Sequence, residues 1–238
     1  MTTYDSRFDY TNLYGTEEYD ERVRYSSYVE DEKYFAGEEV VELPDDFSLH
    51  IKKYIHRSER EIYARFLRCK LLKNEEVVYE YVSVDDQCRP FTRFINHSNG
   101  HRYYPFHIDL YGISYIDVDT LEVFNYIPRG QTNDMNLNVG ESFIIMDIHY
   151  DPNTNLVAYD GCLWAYPYDV MVGDLSDPLG FDPHLVSIYD ILDSKYESGY
   201  YIGFDSWESD GIVVELEFDY EKKKEFISMD VLLQKMKQ

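Results

Sequence analysis

The chain has 238 residues, 46 of them Asp or Glu against 22 Lys or Arg, for a formal charge of −24 at neutral pH; 44% are hydrophobic and 17% aromatic. An acidic chain with 25 Tyr and 13 Phe has enough apolar surface to fold around a core, which excludes wholesale disorder. No stretch approaches the roughly 20 apolar residues of a spanning helix. Asp5, Arg7 and Asp9 stand where a signal peptide carries its apolar run, so the expectation is a cytoplasmic protein without a membrane span.

Residues 1–46 interleave Tyr with Asp and Glu at no steady period, which predicts an acidic, Tyr-rich N-terminal arm packed on the body or on a partner, with a short polar helix somewhere in 17–34. Pro44-Asp45-Asp46 marks the expected boundary, and Asp45 or Asp46 is placed to cap a helix running through Leu49, Lys52 and Ile55. Residues 47–238 are then expected to form one antiparallel β-rich domain. In the stretch after Arg60, Tyr63, Arg65, Leu67, Cys69 and Leu71 alternate. Lys73-Asn74-Glu75-Glu76 is a turn and 77–84 is rich in Val and Tyr, so these segments predict a hairpin. A polar loop over 96–100 follows.

From residue 103 the pattern becomes strand, turn, strand. Expected strands are 108–117 and 121–127 about Val118-Asp119-Thr120, 143–150 and 156–160 about an Asp151-Pro152 turn, then 170–175. Strands 200–207 and 212–218 flank Asp210-Gly211, a strong hairpin signal. Residues 229–237 predict a short amphipathic C-terminal helix. The fold class is therefore mainly β: an antiparallel curved sheet or sandwich of hairpins. Residues 143–178, with the run IHYDPNTNLVAYDG followed by DVMVGDLSDP, resemble a single blade of a β-propeller. Irregular turn spacing, and the absence of a recurring Gly-His or Trp-Asp pair, argue against a full propeller.

Three cysteines, Cys69, Cys88 and Cys162, with no CxxC pair, encode neither a disulfide framework nor a zinc knuckle. Cys162, with His149 on an adjacent strand, is the one place for a thiol nucleophile, but the acids around it disfavour a thiolate. Asp147, His149 and Asp151 alternate on one strand face, and His107 with Asp109 offers a second pair, a legitimate donor set for a divalent metal. Asp151-x-Asn153-x-Asn155 opens like a calcium loop but has Leu156 where Gly is needed and Cys162 where a bidentate Glu belongs. His97-x3-His101 is interrupted by Gly100 and reads as a pair of loop histidines. GxSxG, GxxxxGK and GxGxxG motifs are absent. The expectation is no catalytic residue, no cofactor and no metal.

Charge is the sharper signal. Residues 1–46 carry −10, 47–102 carry +4, 103–220 carry −20 with only Arg129 and Lys195 as bases, and 221–238 carry +2. Such a field repels nucleic acid and anionic membrane and attracts a basic partner. The expected function is a non-enzymatic acidic module that binds a basic, nucleic-acid-handling protein, offering rows of carboxylates in place of phosphates. In general character this resembles immunity proteins against basic nucleases and phage-encoded antagonists of nucleic-acid enzymes. The expected contact residues are Asp109, Asp117, Asp119 and Glu122, with Trp164, Tyr166, Tyr168, Asp169, Asp174 and Asp177 from the next acidic, aromatic stretch. Two alternatives stand beside it. One is a metal-dependent hydrolase using His107, Asp109, Asp147, His149 and Asp151; the other is a structural subunit of a larger assembly.

Overall fold

A computed structural model of the chain describes residues 8–23, 31–57, 63–84, 89–131, 142–163, 167–181, 185–192 and 200–237. Among the described residues strands account for 58% and helices for 11%, which makes the fold mainly β, as the alternation patterns predict. It divides into two compact units, residues 12–127 and residues 1–11 with 128–238.

The first elements among the described residues are strand β1 (Phe8–Asn12) and helix α1 (Glu17–Arg22). The Thr16 side chain caps α1 by accepting from the Tyr19 N–H, and Glu17, Glu18 and Asp20 occupy the positive end of its dipole. A four-stranded antiparallel meander follows: β2 (Phe35–Leu43), β3 (Phe47–Arg57), β4 (Tyr63–Lys73) and β5 (Glu76–Ser83). The helix expected after Asp45 is not there. Phe47, Leu49 and Ile51 are buried at every second position, a strand period, and Asp45 and Asp46 sit at φ 58° and 61°. An N-cap needs extended backbone, whereas two successive left-handed residues make the tight turn of a hairpin. The turn therefore joins β2 to β3, and residues 35–43, read as part of the arm, are a strand of this sheet.

The second meander of this unit is β6 (Ile95–Asn96), β7 (Arg102–Phe106), β8 (Ile113–Asp117) and β9 (Val123–Tyr126). Leu49, Leu71, Tyr104, Phe106 and Ile116 form its core together with Leu13 and Tyr19, so part of the N-terminal arm is docked by its apolar residues.

In the other unit β10 (Pro128–Gln131) pairs with β1, and Arg129 bonds Asp9 at 3.1 Å. Then come β11 (Phe143–Tyr150), β12 (Leu156–Leu163), β13 (Tyr168–Asp174) and β14 (Val186–Ser187), again a meander in chain order. The blade-like segment is the first three strands of it. Helix α2 (Ile188–Leu192) precedes a three-stranded meander, β15 (Tyr201–Glu208), β16 (Gly211–Phe218) and β17 (Glu221–Ser228), and α3 (Met229–Met236) closes the chain. Ala158, Val170 and Val172 from the first sheet share a core with Ile202, Ile212, Val214 and Leu216 from the second and Leu232 from α3. Strand β17 is absent from the sequence reading because Lys222, Lys223 and Lys224 look like a solvated run. In the fold they stand opposite Glu217, Leu216 and Glu215 on an edge strand, where lysines are at home. Among the described residues, no helix is long and apolar enough to cross a membrane.

Candidate functional site

The site is built from the pleat of two neighbouring sheets. On β15, Tyr201 and Gly203 point to one face, and their cross-strand partners on β16 are Glu217 and Glu215. Asp160 of β12 and Tyr168 of β13 stand against this face and complete a groove of about 480 Å³. Tyr168 and Tyr201 are 46% and 53% exposed, with ring centroids 6.2 Å apart and planes tilted by 36°. Gly203 leaves the groove open, since a Cβ there meets no atom within 4 Å. The walls are thus three carboxylates and two half-exposed tyrosines.

Asp160 positions the two sheets. Its Oδ1 accepts the Phe204 backbone N–H at 2.8 Å, and its Oδ2 lies 2.9 Å from His149 Nε2. The His149 ring stacks on Phe204 at 4.0 Å, and the His149 carbonyl accepts the Trp207 indole N–H at 3.0 Å. Three strands, β11, β12 and β15, are therefore pinned by one carboxylate and one imidazole. Replacement of Asp160 by Ala leaves the Phe204 N–H without this acceptor and is expected to lower stability by about 1–3 kcal/mol. The urea midpoint should fall with an unchanged slope; an unchanged midpoint means Asp160 does not hold the sheets together.

Lys222 of β17 reaches back over the acids. Its Nζ is 2.6 Å from Glu215 and 3.5 Å from Glu217, and these partners, Glu215 foremost, hold its pKa above the ordinary lysine value. Beyond the groove, Tyr200 packs on Phe218 with centroids 4.9 Å apart. Tyr220 is 93% exposed at φ 66° in the β16–β17 turn. With Asp219 at φ 49°, it forms the same two-residue left-handed hairpin turn as Asp45 and Asp46.

The expected contact residues scatter. Trp164 and Tyr166 lie outside the described residues, as does Cys88. Tyr168 lines the groove, while Asp169, one position on, points into the core: its Oδ1 accepts from Val170 N–H at 2.8 Å and Tyr189 N–H at 3.0 Å, and its Oδ2 from the Ser187 hydroxyl. Burial pushes its carboxyl up to about 7, against those hydrogen bonds. Asp174, the exposed last residue of β13, accepts the N–H of Ser176, and Asp177, exposed in the loop that follows, accepts that of Leu179.

Asp109, Asp117, Asp119 and Glu122 belong to the other unit. The row of anions expected from Asp117 and Asp119 is corrected: Asp117 ends β8 buried and Asp119 is in the turn after it, so they are not repeats along a strand face. Burial raises the Asp117 carboxyl, but N–H groups of Asp119 and Thr120 outweigh it and hold it below its ordinary value. Asp109 is buried as well, accepting from the Tyr111 N–H at 3.3 Å. Asp119 and Glu122 are exposed.

The donor set weighed for a metal is likewise redistributed. Asp147 and His149 do share a face of β11, with Asp147 Oδ2 3.7 Å from His149 Nε2. Asp151 instead closes its own turn, accepting from Asn153 N–H, Asn153 Nδ2 and Thr154 Oγ1. His107 and Asp109 lie in the other unit. Among the described residues, His101, Asp117 and Asp119 bring three ligand atoms within 4.8 Å of one another, with His101 Nδ1 2.7 Å from Asp117 Oδ2. Cys162 is not beside His149: the ladder pairs His149 with Ala158, four residues from Cys162 and so about 13 Å along the strand. Burial pushes the Cys162 thiol above its ordinary value, the opposite of what a nucleophile needs.

Asp160, Tyr201, Gly203, Glu215 and Glu217 are groove residues that the sequence reading did not single out. The Asp210-Gly211 signal locates this hairpin but not its register: Ser209 and Asp210 form the turn, Gly211 opens β16 opposite Glu208, and a bulge between Phe204 and Ser206 shifts the ladder so that Tyr201 falls opposite Glu217 and Gly203 opposite Glu215. Compared with protein-family models and with curated proteins, the chain matches no family model and no curated sequence.

Proposed function

We propose that this chain is a non-enzymatic binding module for a basic protein, which it engages through the acid- and tyrosine-lined groove of the unit containing residues 128–238. The observation that carries the reading is the groove itself: Glu215 and Glu217, bridged by Lys222, and Asp160, whose oxygens are held by Phe204 and His149, line open space beside two half-exposed tyrosines. Carboxylates give long-range attraction and set orientation, and Tyr supplies contact area at small entropic expense. The surrounding chain adds to the field, with 21 acids against 7 bases over residues 128–238. Tyr220, 93% exposed, lies in the turn at the same end of the β15–β17 sheet, while Tyr200 and Phe218 pair on the face away from the groove. A partner that handles nucleic acid presents the complementary surface, a cationic groove shaped for phosphates, and occupation of that groove by this acidic face blocks it. In this reading the protein acts as an inhibitor or immunity-type antagonist.

The test is capture of partners from the native host's lysate with the wild-type chain and with Gly203→Leu, which fills the groove, at low and at high salt. One basic protein retained by the wild type, lost as salt rises and not held by Gly203→Leu, is the expected result. Equal retention by both baits places the contact elsewhere. Retention that survives salt well above physiological strength removes charge as the main term.

A further inference from the structure

We infer that the groove is an arginine pocket, and that Lys222 is an internal stand-in which the arginine of a partner displaces. The inference rests on the binding reading above and names the group bound. Glu215 and Glu217 are two apart on β16 and face the same way, and one cation already touches both, Lys222 Nζ at 2.6 and 3.5 Å. The pair therefore has the geometry to share a single positive group. Lys222 holds that place weakly: its side chain is 57% exposed, and ion pairs in water contribute little.

An arginine meets more of the site than an ammonium does. Its guanidinium presents five donors in one plane, enough to address two carboxylates at once, and it stacks on aromatic faces, whereas an ammonium is a compact, strongly hydrated point charge. Tyr168 and Tyr201 supply those faces at the mouth of the groove. Gly203 supplies room for the aliphatic stem, because nothing occupies the space its side chain would take. Asp160 adds negative charge while its oxygens stay tied to Phe204 and His149. Every wall thus favours a flat cation on an apolar stem.

The experiment is calorimetric titration at low salt with end-blocked tri-arginine and tri-lysine peptides, equal in charge. The wild type is expected to bind tri-arginine about tenfold more tightly than tri-lysine, a difference that planar pairing and stacking supply. Removal of the stand-in by Lys222→Ala should tighten tri-arginine binding about threefold, although it deletes a surface ion pair. Gly203→Leu should weaken it about tenfold with an unchanged urea midpoint, and the double substitution Glu215→Gln, Glu217→Gln gives the same loss without adding volume. Equal binding of the two peptides overturns the arginine assignment and leaves a basic partner standing. Weaker binding by Lys222→Ala overturns the stand-in role. Failure of both peptides to bind at low salt overturns the inference and the binding reading together.

Discussion

Asp169→Asn is expected to be more stable than the wild type by about 4 kcal/mol at pH 8 and equal to it near pH 4. The carboxyl is buried between Val170, Ser187 and Tyr189, and burial raises it from 3.8 to about 7. The folded state therefore holds this proton over a range where the unfolded chain has released it. Stability from this group is full below the unfolded value of 3.8, falls as pH rises, and levels off above about 7. Asn keeps the arrangement without the charge: its Oδ1 accepts the N–H groups of Val170 and Tyr189, and its amide donates to the Ser187 hydroxyl. A comparison of the two proteins at each pH cancels the other titrating carboxylates, including Asp117 and Asp9, whose lowered values work in the opposite sense below about pH 4. Urea unfolding at pH 4, 6 and 8 measures the difference. A variant less stable than the wild type at pH 8 means that the ionised carboxylate is worth more to the α2 N-terminus than its burial takes away.

The contrast between Tyr168 and Asp169 shows what the sequence made legible. Alternation puts adjacent strand residues on opposite faces, so only one of the two can be at the surface, and the reading that assigned both to a partner ignored the pleat. Hairpins were readable where turn chemistry is local: Asn74 and Glu75 at φ 49° and 68°, and the β15–β16 hairpin, although its turn falls on Ser209-Asp210, one residue before the Asp210-Gly211 pair that signals it. Phe47 to Ile51 was misread because Asp45 and Asp46 look like helix caps until their positive φ values are known. The groove was out of reach for a different reason. Its residues come from β12, β13, β15 and β16, and β15 is set against β12 by a shared apolar core and by the bond from Asp160 to Phe204 N–H, across 44 residues. Composition indicated that acids and tyrosines are abundant; strand adjacency decides which of them converge.

Two glycines in the same pair of sheets should respond oppositely to one methyl group. Gly161 sits in the middle of β12, paired to Ile145 on β11 and Asp169 on β13. A Cβ at Gly161 would lie 2.0 Å from the Ile144 carbonyl oxygen and 2.7 Å from the Phe143 ring. The carbonyl is backbone and the ring covers the glycine from the next strand, so neither yields without breaking the ladder where β11 already carries a register shift. Gly161→Ala is expected to lower stability by about 3 kcal/mol or more, as overpacking of a tight interior does. Gly203→Ala meets open space at ordinary backbone angles and should be neutral, or more stable by about 0.5 kcal/mol, because Ala loses less conformational freedom than Gly on folding. Urea denaturation of both variants tests the register of β11 on β12 and the openness of the groove at once. Equal losses at the two positions mean that the groove is closed, and a tolerated Gly161→Ala means that β11 does not pack on β12 in this register.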